Sequence, residues 1–177
     1  MKNSMKIFIA FLMISFLFNG CTGSLNVLPT NVIGLNYSAA DELIRKANLD
    51  EDSRVIVTTI VDINHIEDTN TLGLTISEHL TSEFVANNMK VIEMKLRNNV
   101  YMKVGTGELM LSRDISKLAD GVKSEAIVVG TYSNTTDIVY VNLKLINPKT
   151  NIILSTLDYK ISKDNKVRYM LGEREPW

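Results

Sequence analysis

Few side chains in this sequence have the identity and spacing that chemistry requires, and each group has a plainer use as well. The chain holds two histidines, His65 and His79, and a single cysteine, Cys21. His65 lies near Asp62, Glu67 and Asp68, which offer nitrogen and oxygen donors to a weakly held cation or to a protein partner. A solvated acidic loop explains the same residues. Glu78-His79 has Thr75 before it and no second histidine after it, so the helical zinc-hydrolase pattern is missing. Gly105-Thr106-Gly107 opens onto a helical stretch, but Met110 stands where a dinucleotide fingerprint needs its third glycine. Ser112-Arg113-Asp114 brings a hydroxyl, a cation and a carboxylate together. Its simplest use is a helix N-cap with an acid in the first turn, and with Arg113 pairing to Glu108. No serine sits in a nucleophile elbow. The sequence is therefore expected to carry no catalytic residue, no metal and no cofactor. Two loops remain as candidate partner-binding surfaces: Asp62, His65, Glu67 and Asp68 on one, and Glu108, Ser112, Arg113 and Asp114 on the other.

The cysteine has a different context. Lys2 and Lys6 precede an apolar run from Ile7 to Phe18, and Asn19-Gly20-Cys21 follows. Charged start, short apolar core and small residue before a cut is the order of an export signal. The run falls short of the roughly 20 apolar residues that a spanning helix needs. Gly20-Cys21 resembles the processing box of bacterial lipoproteins, with cleavage after Gly20 and acylation of Cys21, although Phe18 and Asn19 depart from the usual Leu and Ala or Ser. An ordinary secretory signal is the alternative, and it leaves a lone thiol in an oxidising compartment. Thr22 after the cysteine, in place of Asp, favours the outer membrane, with the domain in the periplasm.

Bulk composition narrows the partners. The chain has 19 Lys and Arg against 20 Asp and Glu, and loss of Lys2 and Lys6 with a leader leaves an acidic excess. That balance gives no support for nucleic-acid binding. Protein partners and oligomerisation remain open.

The hydropathy pattern predicts one domain. Residues 1–20 read as signal, 21–35 as a tether broken by Gly23, Pro29 and Gly34, 36–162 as the folded domain, and 163–177 as a mixed, charged tail. A helix is predicted over Ser38–Leu49, with Ser38 and Asp41 as a capping box. A strand covered on both faces follows over Arg54–Val61, then a polar loop, then a helix over Asn70–Asn88 with the apolar row Leu72, Ile76, Leu80, Phe84. A short strand over Lys90–Leu96, a turn at Arg97-Asn98-Asn99, a brief strand at Val100–Val104, a Gly105–Gly107 loop and a helix over Ser112–Val122 come next. Glu125–Tyr132 reads as a second two-sided strand. Ile138–Ile146 and Asn151–Ile161 then complete a meander, and the first of these alternates as a half-wet strand does. The expected fold class is α/β (α+β): a mixed sheet of about five strands with three helices, ending in a β-meander.

Several stretches together resemble the FlgO family of flagellar outer-membrane proteins. They are Asn36–Asp41, Val57–Asp62, Leu72-Gly73 with Ser77-Glu78-His79-Leu80 and Phe84, Gly105–Asp114, and Val129–Tyr132 with Tyr140-Val141-Asn142. The resemblance implies a non-enzymatic envelope protein tied to motility, and offers no catalytic residues. Element order is also similar to the small periplasmic modules of the TolB N-terminal domain, LpoB and CsgG. The leading expectation is a lipid-anchored scaffold or assembly factor for the flagellum, bound to an envelope or flagellar protein. The alternative is a lipoprotein that regulates a peptidoglycan synthase or secretion apparatus.

Overall fold

A computed structural model describes residues 29–92, 103–105, 108–110 and 121–173. Helix α1 covers Val32–Ala47 and begins where the Asn31 side chain accepts the N–H of Gly34 at 3.0 Å. Asn is a strong N-cap, so the helix starts there and not at Ser38. Ser38 and Asp41, expected as a capping box, sit inside it, and Val32–Leu35 of the expected tether are helical. The helix ends at Asn48, which adopts the left-handed conformation (φ 51°) that Asn tolerates.

The strand expected over Arg54–Val61 is two pieces, β1 (Arg54–Val57) and β2 (Val61–Asp62), both parallel to β6 (Ala126–Asn134). Val57 pairs with Val128 and Val61 with Thr131, four steps against three. One residue is therefore extra on the first strand, and Thr58–Ile60 form a bulge. Helix α2 (Thr71–Ala86) follows, capped by Asn70, which accepts the Gly73 N–H at 3.0 Å. Strand β3 (Lys90–Ile92) returns beside β1. β4 (Lys103–Gly105) and β5 (Glu108–Met110) form a separate antiparallel hairpin, so Gly105 lies in a strand and not in the expected loop. The expected turn at 97–99 and all but the last two residues of the helix expected over 112–122 lie outside the described residues; Gly121 and Val122 are helical.

Strands β6, β7 (Ile138–Ile146) and β8 (Ile153–Ser162) form the antiparallel meander. Helix α3 (Asn165–Met170) closes the fold, where the sequence suggested only a charged tail. The main sheet runs β3-β1-β6-β7-β8, with β2 extending β1 along β6. The two strands read as covered on both faces, β1 and β6, are central as expected.

On one face, Leu43 of α1 and Leu72, Ile76, Leu80 and Phe84 of α2 pack on Val55, Val128, Val141 and Leu143. On the other, Ile56, Ile127, Val129 and Ile146 form a smaller cluster. Farther along that second face, Tyr140, Asn142 and Lys144 of β7 align with Lys160, Asp158 and Thr156 of β8, which gives the wet side that the alternation predicted.

Cross-contacts fix directions. Asn36 meets His79, and Asp41 meets Asn87, so α1 and α2 run parallel. Leu43, Asn36 and Thr30 meet Ser155, Tyr159 and Ser162 in turn, so both helices run against β8. The helix starts, the loop after β2, the β6–β7 turn, Thr30 and α3 therefore share the carboxyl end of the parallel strands.

Gly73 marks the tightest contact. A Cβ there would lie 1.9 Å from the Ile60 carbonyl oxygen. Gly73→Ala is expected to lower unfolding stability by about 2 kcal/mol despite its better helix propensity, whereas exposed Leu74→Ala stays within about 0.5 kcal/mol. Urea denaturation of both variants checks this.

Candidate functional site: a partner surface at the carboxyl end of the sheet

The loop after β2 owes its position to the bulge. With the ladder broken, the Ile60 N–H donates to Ser77 Oγ of α2 at 3.1 Å. That hydroxyl also reaches the carbonyls of Thr58 (3.1 Å) and Gly73 (2.9 Å). One serine thus supplies partners that the sheet no longer gives. Beyond the bulge, Ile63 N–H donates to the Tyr132 carbonyl at 3.0 Å. The Asn70 amide donates to the Tyr132 hydroxyl, and this ties the start of α2 to the end of β6. Burial, with a further contribution from the Asp62 charge, pushes the Tyr132 phenol up to about 12, so it stays protonated.

Between these ties lie the residues singled out from sequence. The Asp62 carboxylate accepts the Asn64 N–H at 2.8 Å, and the His65 N–H donates to the Asp62 carbonyl at 3.1 Å. The Asp68 N–H donates to the His65 carbonyl at 3.0 Å. The loop is a chain of tight turns whose His65, Glu67 and Asp68 side chains are exposed, while Asp62 is half-buried. No set of three metal-binding side chains comes together among the described residues. Glu108 lies in β5, and Cys21, Gly20, Ser112, Arg113 and Asp114 lie outside the described residues.

Beside the loop, the wet face of the meander forms a groove of about 720 Å³. Ile63, Thr131, Ser133, Tyr140, Asn142 and Lys160 line it. Tyr140 is half exposed and presents an aromatic face among hydrogen-bonding groups, a composition common in protein interfaces.

Two polar joints that sequence reasoning missed hold this end together. The first joins α1, α2 and β8. Asn36 is fully buried; its amide donates to His79 Nδ1 at 2.9 Å, and its carbonyl accepts the Tyr159 hydroxyl at 2.6 Å. The His79 ring also meets Tyr37 edge-on, with centroids 6.0 Å apart. Burial lowers the His79 pKa, against a smaller opposing effect of Glu78, and burial raises that of Tyr159. These partners are 43 and 123 residues apart, so no local pattern betrays them.

The second joint straps α3 to the β6–β7 turn. Lys163, with its side chain 2% exposed, donates to Asn134 Oδ1 (2.9 Å), the Thr135 carbonyl (2.7 Å) and Glu173 Oε1 (2.6 Å). Arg168 adds bonds to Glu173 and to the Thr136 carbonyl. Burial alone would raise Glu173, but hydrogen bonds from Lys163 and Asn134 and the charges of Lys163 and Arg168 hold it below the usual range. The signal in the sequence was Asp164 followed by Val167, Met170 and Leu171 at helical spacing; Asp164 is the observed N-cap.

Two outcomes follow. A neutral His79 accepts the Asn36 amide, so protonation opposes the fold. Stability is full above pH 6.5, the ordinary histidine value, and falls as pH drops through the lowered folded-state value. Urea midpoints should decline below pH 6.5 in the wild type, and His79→Gln should flatten that decline. Lys163→Ala, which removes three hydrogen bonds and leaves Glu173 to Arg168 and Asn134, should cost about 1 kcal/mol by the same measurement.

No curated protein matches the chain. The LpoB C-terminal domain from Salmonella enterica superposes with a TM-score of 0.54 at 11% identity, covering 75% of this chain and 99% of that one. The LpoB C-terminal domain from Escherichia coli gives 0.50 at 13% identity over 72% of this chain and 98% of that one, and E. coli LpoB by NMR gives 0.53 at 12% over 76% and 70%. These likenesses establish a shared fold. The family model described as FlgO protein matches residues 37–166, most of the chain, and the protein belongs to the FlgO family.

Proposed function

We propose that this chain is a lipid-anchored protein of the outer membrane, whose periplasmic domain serves as a non-catalytic scaffold or assembly factor for the flagellum. The family match over residues 37–166 carries the reading. The leader order ending in Gly20-Cys21 supports the anchor.

The surface offered to an envelope or flagellar protein is the Asp62–Asn70 loop with the adjoining groove. Its support is rigid: the bulge, Ser77 and the Asn70–Tyr132 tie fix the loop from three sides. A preorganised surface loses little ordering entropy on binding. The sequence-derived partner residues Glu108, Ser112, Arg113 and Asp114 belong to the same proposal. Polar residues that could suggest chemistry, Ser77 and His79, are engaged in holding elements together.

Deletion of the gene should impair swimming or flagellar stability with growth intact, and a Cys21→Ala copy should fail to restore it. In the same strains, wild-type protein should take up radiolabelled palmitate and fractionate with membranes, and the Cys21→Ala protein should do neither. Normal motility in the deletion strain would overturn the flagellar role. Capture of a peptidoglycan synthase or secretion component from solubilised envelope, with flagellar proteins absent, would favour the regulatory alternative.

A further inference from the structure

We propose that the segment 174–177 folds back into the groove beside the Asp62–Asn70 loop, sets the Trp177 indole against Tyr140, and has to be displaced before a protein partner binds there. This rests on the partner reading above and adds a regulation to it. The starting point is where the chain leaves the described residues. Glu173 is fixed at the end of β6: its carboxylate accepts the Asn134 amide at 3.0 Å and is held by Lys163 and Arg168. Asn134 is the last residue of β6, and Ser133 before it lines the groove. Ser133 pairs with Tyr140, and Tyr140 with Lys160, so one cross-strand row leads from this point over the groove. Two strand spacings cover about 10 Å. The four residues from Arg174 to Trp177 reach about 14 Å at full extension. The indole thus comes within range of Tyr140 and Lys160 by passing the open end of the sheet. The β7–β8 turn at 147–150 begins seven residues beyond Tyr140, about 24 Å along the strand, and is out of reach.

The groove has the chemistry for this segment. Concavity favours it over Ile33 and Leu74, exposed apolar side chains that stand on helix surfaces at the same end. Tyr140 is 52% exposed and offers its ring to the indole; aromatic pairs gain beyond the area they bury. The Lys160 ammonium, next in the row, can lie over the indole face, and tryptophan is the best ring for such a cation. The Ser133 hydroxyl can accept the indole N–H. Arg174 sets out beside the loop, where Glu67 and Asp68 are exposed and of opposite charge. Pro176 has a fixed φ, which reduces the freedom lost on docking.

Because the segment is part of the chain, docking is an intramolecular step at an effective concentration on the order of millimolar, and a weak contact is populated. A partner then meets a groove that is free only part of the time, and its apparent affinity falls by that fraction.

Trp177 is the only tryptophan in the chain, so its fluorescence reads the contact directly, in the full chain held in nonionic micelles. Emission blue-shifted from that of the protein in urea, with several-fold weaker quenching by acrylamide, is expected. Tyr140→Ser combined with Lys160→Ser should bring both readings to the urea values while the domain stays folded by circular dichroism. An indole as quenchable as in urea would overturn the contact and leave the partner reading intact. So would protection that survives both substitutions, as for an indole in the micelle, or protection lost on dilution, as for a segment lent to a second copy. In cells, a photo-crosslinking residue in place of Asn142, within the groove, should capture flagellar or envelope protein several-fold more when residues 174–177 are removed. Capture unchanged by the removal would overturn the regulation. No capture with or without the segment, beside the expected fluorescence, would overturn the groove as a partner site and the regulation with it, and leave the contact standing.

Discussion

The approach of α2 to the interrupted strand at Thr58–Ile60 is the constraint on which the rest depends. A helix lies this close to backbone only where a side chain is missing, and Gly73 provides the gap. The bulge would otherwise leave an N–H and a carbonyl without partners in a partly buried place, and Ser77 answers both. With α2 seated, Asn70 reaches Tyr132 and the loop between them has little freedom left. Gly130 makes the same economy on β6, where a Cβ would meet Asn142 O and Leu143 Cδ2 at 2.7 Å and Ile60 Cδ1 at 2.9 Å. Three of the stretches that resemble the family, Leu72-Gly73, Ser77–Leu80 and Gly130-Thr131-Tyr132, contribute to these joints.

The same joints explain why the domain carries so specific a set of buried polar residues. Buried polar groups destabilise unless they are paired, and paired ones admit few alternative arrangements. Every buried side-chain nitrogen and oxygen among the described residues has a partner. Asn36 is the clearest case: apolar burial would hold α1 on the sheet at many rotations, but its bonds to His79 and Tyr159 admit one.

Much of the fold was legible because it rests on local pattern. The apolar row of α2, the unbroken β-branched run of β1 and the alternation of β7 each follow from burial of one face or two. The start of α1 was misplaced because Ser38 and Asp41 imitate a cap that Asn31 supplies earlier. The break at Thr58–Ile60 could not be read, since Thr and Ile favour strands and the bulge is imposed by a helix 13 residues on. Helix α3 was overlooked because it has only six residues with one buried apolar side chain, Val167, and it is held by Lys163 and Arg168 reaching a distant turn. Of the candidate partner residues, the acidic loop was placed correctly at the end of a central strand, while its orientation depends on Tyr132, far along the chain.

Asp164 gathers three elements at one carboxylate. It caps α3 through the Val167 N–H, stands two residues after β8, and receives Thr30 from the N-terminal side. Tension applied to the N-terminus is therefore delivered first to this carboxylate and to Ser162, and is divided there between a strand and a helix. α1 is spared from unwinding until those two hydrogen bonds give way.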